Sequence, residues 1–152
     1  MKIIIAGAGE VGTHLAKLLS REEQDIILID NDEEKLRELD ANYNLMTVIG
    51  NPTAFQTLKQ AQVYKADLFN AVMPLESRNI MACTMESKLG AKKSQARVVN
   101  YEYLLPENKA FFENLGVNEL IYPEKLAAEE VITALKHTWT RNWFELCNGE
   151  LI

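Results

Sequence analysis

The side chains that most often carry chemistry are scarce in this chain. It holds two cysteines and two histidines in 152 residues, and neither Cys83 nor Cys147 stands in a C-x-x-C pair or near a histidine at metal-ligand spacing. The two thiols read as reduced groups in a reducing compartment. His14 falls in the first turn of a helix, where it either approaches a ligand or simply faces solvent, and His137 falls near the end of the last helix, where a partial positive charge suits the dipole. Positive charge is in the minority, with 16 Lys and Arg against 22 Asp and Glu, a net charge of -6 and a pI near 5.0. Lys92-Lys93 and the scattered basic residues form no cluster able to replace phosphate counterions, so nucleic acid is not an expected partner. No apolar run approaches the length of a membrane span. Lys2 is followed by a strand-length apolar run and then glycines, which is not a signal-peptide layout, and a cytosolic chain is expected. The G-x-x-x-x-G-K-[ST] pattern is absent, which excludes phosphoryl transfer by that route.

What is present begins at once. The apolar run Lys2-Ile3-Ile4-Ile5-Ala6 empties into Gly7-Ala8-Gly9-Glu10-Val11-Gly12. Three glycines at that spacing behind a strand give a tight turn, a close approach of backbone to a diphosphate and close packing of the next helix, whose N-terminal N–H groups point at the anion. Val11 to Ser20 reads as that helix, with Val11, Leu15, Leu18 and Leu19 on one side, and Asp25 to Ile29 as a buried parallel strand ending on Asp30. Asp30 lies roughly 20 residues beyond the glycines, where a carboxylate hydrogen-bonds a ribose 2′-hydroxyl and repels a 2′-phosphate. The plainer reading, open at this point, is that Asp30 caps a turn, because Asn31 and Asp32 follow it.

The alternation of strand and helix continues. Asn31 with Glu34 makes a capping-box start for a helix to about Ala41, carrying Leu36 and Leu39 inward, and Met46 to Ile49 is a third strand. Gly50-Asn51-Pro52-Thr53 is a loop, and Thr53 with Gln56 is a second capping box opening a helix to about Ala61. A fourth strand within Ala66 to Met73, a helix from Ser77 to Leu89 closed by Gly90, and a fifth strand from Ala96 to Val99 follow. Pro106 to Leu115 is a helix closed by Gly116, Glu119 to Tyr122 a sixth strand, and a long helix starts near Pro123. The expected fold is therefore α/β: a doubly wound, Rossmann-type, mostly parallel six-stranded sheet in the order 3-2-1-4-5-6, with helices on both faces and an extended C-terminal helix. The crevice at the reversal of strand order lies over the glycine loop. The final helix carries Ala128, Val131, Ile132, Leu135 and Trp139 at helical spacing, to pack either on its own sheet or on a second copy. We expect a nucleotide-binding domain over residues 1–138 and an extension over 139–152, with a hairpin beginning at Asn148-Gly149, as the front part of a longer protein.

A dehydrogenase would add a substrate domain and a proton donor. The strand ends offer Met73-Pro74-Leu75-Glu76, Asn100-Tyr101-Glu102 and Pro123-Glu124, with no base paired at recognisable spacing, and Glu76 and Glu124 read as solvated loop acids. A domain that binds a nucleotide without transforming it is expected; the alternative is the cofactor half of an NAD-dependent oxidoreductase whose substrate domain lies elsewhere.

The stretches 2–12, 29–36 and 50–53, with Asn79, Arg97 and the Leu115-Gly116-Val117-Asn118 to Tyr122-Pro123-Glu124 segment, resemble the N-terminal (KTN or RCK) domain of the Trk potassium-uptake regulatory proteins, the TrkA family. The resemblance implies a cytosolic, non-enzymatic regulatory subunit at the inner face of the plasma membrane. Such a subunit gates an integral membrane potassium transporter or channel, binds NAD(H) or ATP/ADP, and forms dimers or higher oligomers through its last helix. It implies that Gly7, Gly9 and Gly12 with the backbone of Ala8, Glu10 and Val11 hold the diphosphate, and that Asp30 holds the ribose with Asn31 and Asp32 beside it. Asn51 and Thr53 then flank the adenine. Met73 and Asn79, with Glu76, lie toward the distal half, and Arg97 is a phosphate or inter-subunit contact. Two departures from the family pattern bear on ligand choice: Asn51 replaces the usual aspartate, and Met73-Pro74-Leu75 replaces a polar, threonine-rich segment. From Asp30 we predict that NADPH raises the melting temperature much less than NADH does; an equal shift with NADPH would remove the ribose role of Asp30.

Overall fold

A computed structural model of the chain describes residues 1–123. The long final helix with its Trp139 stripe, the extension over 139–152 and the hairpin at Asn148-Gly149 lie outside the described residues, as does Glu124. The compact unit Met1–Ile121 is built on six parallel strands, β1 (Lys2–Ala6), β2 (Asp25–Asp30), β3 (Met46–Ile49), β4 (Leu68–Ala71), β5 (Ser94–Arg97) and β6 (Glu119–Ile121). Their order is β3-β2-β1-β4-β5-β6, the order expected of a doubly wound sheet. β1 is central, and its side chains divide between two cores. Ile3 and Ile5 join Ile26, Leu28, Leu36 and Leu39 on one face; Ile4 and Ala6 join Ile27, Ile29, Leu58, Phe69 and Phe112 on the other. A parallel strand covered on both faces has no polar side to show, which is why β1 and β2 read as unbroken apolar runs.

The helices are α1 (Glu10–Ser20), α2 (Glu33–Asn42), α3 (Phe55–Gln60), α4 (Glu76–Leu89) and α5 (Lys109–Asn114). In α1 the inward residues are Gly12 and Ala16, with Leu15 and Leu19 partly covered, whereas Val11 and Leu18 are exposed. The expected inner face is therefore rotated. Gly12 must meet the backbone of the glycine loop, and once it does, its i+4 partner Ala16 follows it inward. The capping boxes also differ from expectation. α2 is capped one residue later, by Asp32, whose Oδ1 accepts the Lys35 N–H at 3.2 Å. α3 has Ala54 at its N-cap and no side-chain cap, because Thr53 turns both its N–H and its hydroxyl to Asn51 Oδ1. α4 closes as expected on Gly90 at φ 107°. The predicted helix over 106–115 divides into a 3-10 turn, Pro106–Asn108, and the short α5. β5 starts two residues earlier than expected, because the Asn118 carboxamide oxygen accepts the Ser94 N–H at 2.7 Å and pins the strand's start.

One buried acid stands apart from the crevice. Glu86 of α4 is 1% exposed and its Oε2 has no partner. Loss of hydration pushes its carboxyl up to about 8 against an ordinary 4.5, partly opposed by a hydrogen bond with Ser94. The folded state holds this proton up to about pH 8, whereas the unfolded chain releases it near 4.5. Stability from this group is therefore lost as pH rises between those values and is flat above the upper one. Denaturant midpoints should fall across that interval for the wild type and fall less steeply for Glu86→Gln.

Candidate functional site

The site is built where β1 ends. Gly7 takes φ 113° and donates its N–H to Ile29 O at 2.8 Å, so the chain leaves β1 while hooked to β2. A Cβ on Gly12 would lie 1.8 Å from Gly7 O, so α1 can start this close to the loop only through glycine. A Cβ on Gly9 would meet nothing within 4 Å: that glycine leaves space on the outer side of the loop. Gly9 is the N-cap of α1 and supplies no side-chain acceptor, which leaves first-turn N–H groups for an external anion.

Asp30, half-buried at the end of β2, fastens this loop. Its Oδ2 accepts the Ala8 N–H at 2.6 Å and its Oδ1 accepts the Asp32 N–H at 2.8 Å. The turn-capping reading of Asp30 thus holds in the structure. Each carboxylate oxygen keeps a second lone pair, so capping leaves acceptors for a ribose hydroxyl. Asn31 is exposed on this turn, and Asp32 is engaged as the cap of α2. The next loop is tied to the same place by Gly50 N–H on Asp30 O at 2.9 Å. There Asn51 Oδ1 gathers three donors: Thr53 N–H at 2.9 Å, the Thr53 hydroxyl at 2.8 Å and Arg78 Nη2 at 2.8 Å.

The floor comes from the end of β4. Met73 is buried, and its Cγ lies 3.0 Å from where a Cβ on Gly7 would stand. Asn79 is fully buried and its carboxamide is committed to the protein. Oδ1 accepts the Met73 N–H at 2.7 Å, and Nδ2 donates to Met73 O and Arg97 O, both at 2.8 Å. Asn79 therefore locks the β4–α4 loop to the end of β5 from behind. Glu76 is likewise committed: its Oε2 accepts the Val99 and Asn100 N–H groups at 2.7 and 3.0 Å, which makes it a clamp on the chain after β5 rather than a loose acid. Arg97 is half-buried with its Nε unpartnered and shielded from solvent. His14 is exposed and lines, with Lys17 and Lys35, a cleft of about 450 Å³ between α1 and α2.

Gly7 to Gly12, Asp30, Asn31, Asp32, Asn51, Thr53 and Met73 thus stand together at the carboxyl ends of β1 to β4, over the point where strand order reverses. Asn79 and Arg97 sit behind and beside them. Sequence reasoning passed over Arg78. The available signal is its place in the first turn of α4, where a cation opposes the helix dipole and needs a reason to be there.

The family model for the TrkA-N domain matches residues 3–123. The chain belongs to the TrkA-N family. The Trk system potassium uptake protein TrkA of Haemophilus influenzae is 41% identical over 133 residues, covering 86% of this chain and 29% of that protein. The chain thus spans less than a third of that relative's length. Among solved structures, the TrkA-N domain of the inner membrane protein ybaL from Escherichia coli superposes with a TM-score of 0.74 at 17% identity, covering 88% of this chain and 96% of that one. A GsuK structure bound to ADP superposes at 0.66 and 25% identity, covering 90% and 34%. The matched curated relatives are named as Trk system potassium uptake proteins.

Because both carboxylate oxygens of Asp30 hold backbone N–H groups, Asp30→Asn turns an amide donor toward one of them. We predict a loss of about 1–3 kcal/mol in the unliganded domain, measured by urea unfolding.

Proposed function

We propose that this chain is the nucleotide-binding part of a cytoplasmic regulatory subunit of potassium uptake, acting at the inner face of the membrane on an integral membrane potassium transporter or channel. The observation that carries the reading is the pairing of an uncapped α1 N-terminus with the Asp30 carboxylate fastened to the same loop. That pairing offers donors to a diphosphate and acceptors to a ribose at one strand-end crevice. The ligand is NAD(H) or an adenine nucleotide such as ATP or ADP. Solved structures of the same fold carry NAD, ADP and AMP, which supports this class.

In this reading Gly7, Gly9 and Gly12, with the backbone of Ala8, Glu10 and Val11, hold the diphosphate. Asp30 takes the ribose, Asn31 and Asp32 border it, and Asn51 and Thr53 flank the adenine. Met73 forms the floor of the distal half, and Asn79 keeps that floor in register with Arg97. No helix among the described residues is long and apolar enough to cross a membrane. The final helix joins copies into a homo-oligomer, through which a change at the crevice reaches the partner.

Regulation requires that the ligand prefer one arrangement of subunits; equal affinity for two arrangements shifts neither. Small-angle scattering of the protein with saturating NADH, with saturating ATP and with no ligand should give at least two distinguishable profiles. Identical profiles under conditions where calorimetry shows binding would sink the regulatory reading.

A further inference from the structure

The loop after β3 and the first turn of α4 are joined by one side-chain bond, Arg78 Nη2 to Asn51 Oδ1 at 2.8 Å. That oxygen is already served by the Thr53 N–H and hydroxyl. A carboxamide oxygen has two lone pairs, so the guanidinium is the surplus donor of the three. No carboxylate lies within ion-pair distance of Arg78 among the described residues. A full positive charge is therefore held on a neutral, already satisfied acceptor, in the turn of α4 where the helix dipole disfavours a cation. Neither circumstance suits a purely structural arginine.

Its place suits a ligand contact. The loop that takes a diphosphate lies at the end of β1, and the carboxylate that takes a ribose lies at the end of β2. In a sheet ordered β3-β2-β1-β4, the direction set by those two points runs on to the end of β3. Asn51 stands there, and Arg78 reaches it from α4. A nucleotide seated on the first two points brings its base to the third. Resting on the nucleotide-binding reading above, we infer that Arg78 holds the base: its planar guanidinium gives up Asn51 Oδ1 and stacks on the face of the purine. The planar fork, and not the charge alone, is what the contact uses, so lysine is a poor substitute.

The test is calorimetric titration of ADP into the wild-type protein, Arg78→Ala and Arg78→Lys, with the difference absorption of the adenine band recorded at saturation of each. The side chain is half-buried and bonded to Asn51, so the melting of each unliganded variant is recorded first to establish that it folds. Arg78→Ala should bind ADP about tenfold more weakly. Arg78→Lys should stay near the alanine variant, and the hypochromic change of the adenine band should be present only in the wild type. Wild-type affinity in Arg78→Ala overturns the inference while leaving nucleotide binding intact. Full restoration by lysine also overturns it, since that makes Arg78 a point-charge contact to phosphate. Undiminished hypochromism in Arg78→Ala overturns it too, since the base would then stack elsewhere. Failure of the wild type to bind ADP or NADH overturns the nucleotide reading itself.

Discussion

The Cβ that Gly12 lacks would stand 1.8 Å from the Gly7 carbonyl oxygen, and from this one contact the rest of the domain takes its geometry. A side chain there would push α1 away from the end of β1, and its first-turn N–H groups would no longer converge on the outer side of the loop. The same contact fixes the rotation of α1, turning Ala16 toward the sheet and Val11 and Leu18 away from it. Two further bonds hold the loop from the side, Gly7 N–H on Ile29 O and Ala8 N–H on the Asp30 carboxylate. The close approach is thus backed by β2, and through Gly50 N–H on Asp30 O by the loop after β3.

The crevice has two kinds of polar group, and the distinction between them is its chemistry. Glu76 Oε2, Asp32 Oδ1 and both ends of the Asn79 carboxamide are engaged by backbone groups and hold the strand ends and the start of α2 in place. The start of α1, the spare lone pairs of Asp30 and the Arg78 guanidinium are left with capacity to spare. With Glu76 and Asp32 engaged by backbone N–H groups and the first-turn N–H groups of α1 open, the crevice presents donors suited to an anion.

Much of this was legible in the sequence. Six apolar runs alternating with helices were enough to set the strand order, because right-handed crossovers leave few alternatives, and the spacing from Gly12 to Asp30 located the crevice. What could not be read were partners distant in sequence. Thr53-x-x-Gln56 has the form of a capping box, yet Thr53 prefers Asn51, whose oxygen is oriented by a guanidinium 27 positions away. Asn79 resembles a ligand contact in one dimension, but its carboxamide faces Met73 and Arg97. Arg78 carries no motif, and its place in the first turn of α4 did not reveal its partner Asn51, 27 positions away.

The sequence by itself determined the alternation of elements, the two-faced core and the glycine loop with its acid, because these follow from period, apolarity and local spacing along one chain. Only the tertiary structure decided which polar groups are consumed and which remain open. Glu86 is buried without a partner for Oε2, Asp30 serves two backbone N–H groups at once, and Arg78 is held by an amide across the crevice. The reason is physical: a hydrogen bond depends on a separation of about 3 Å in space, and folding brings to that distance residues whose separation along the chain carries no information about it.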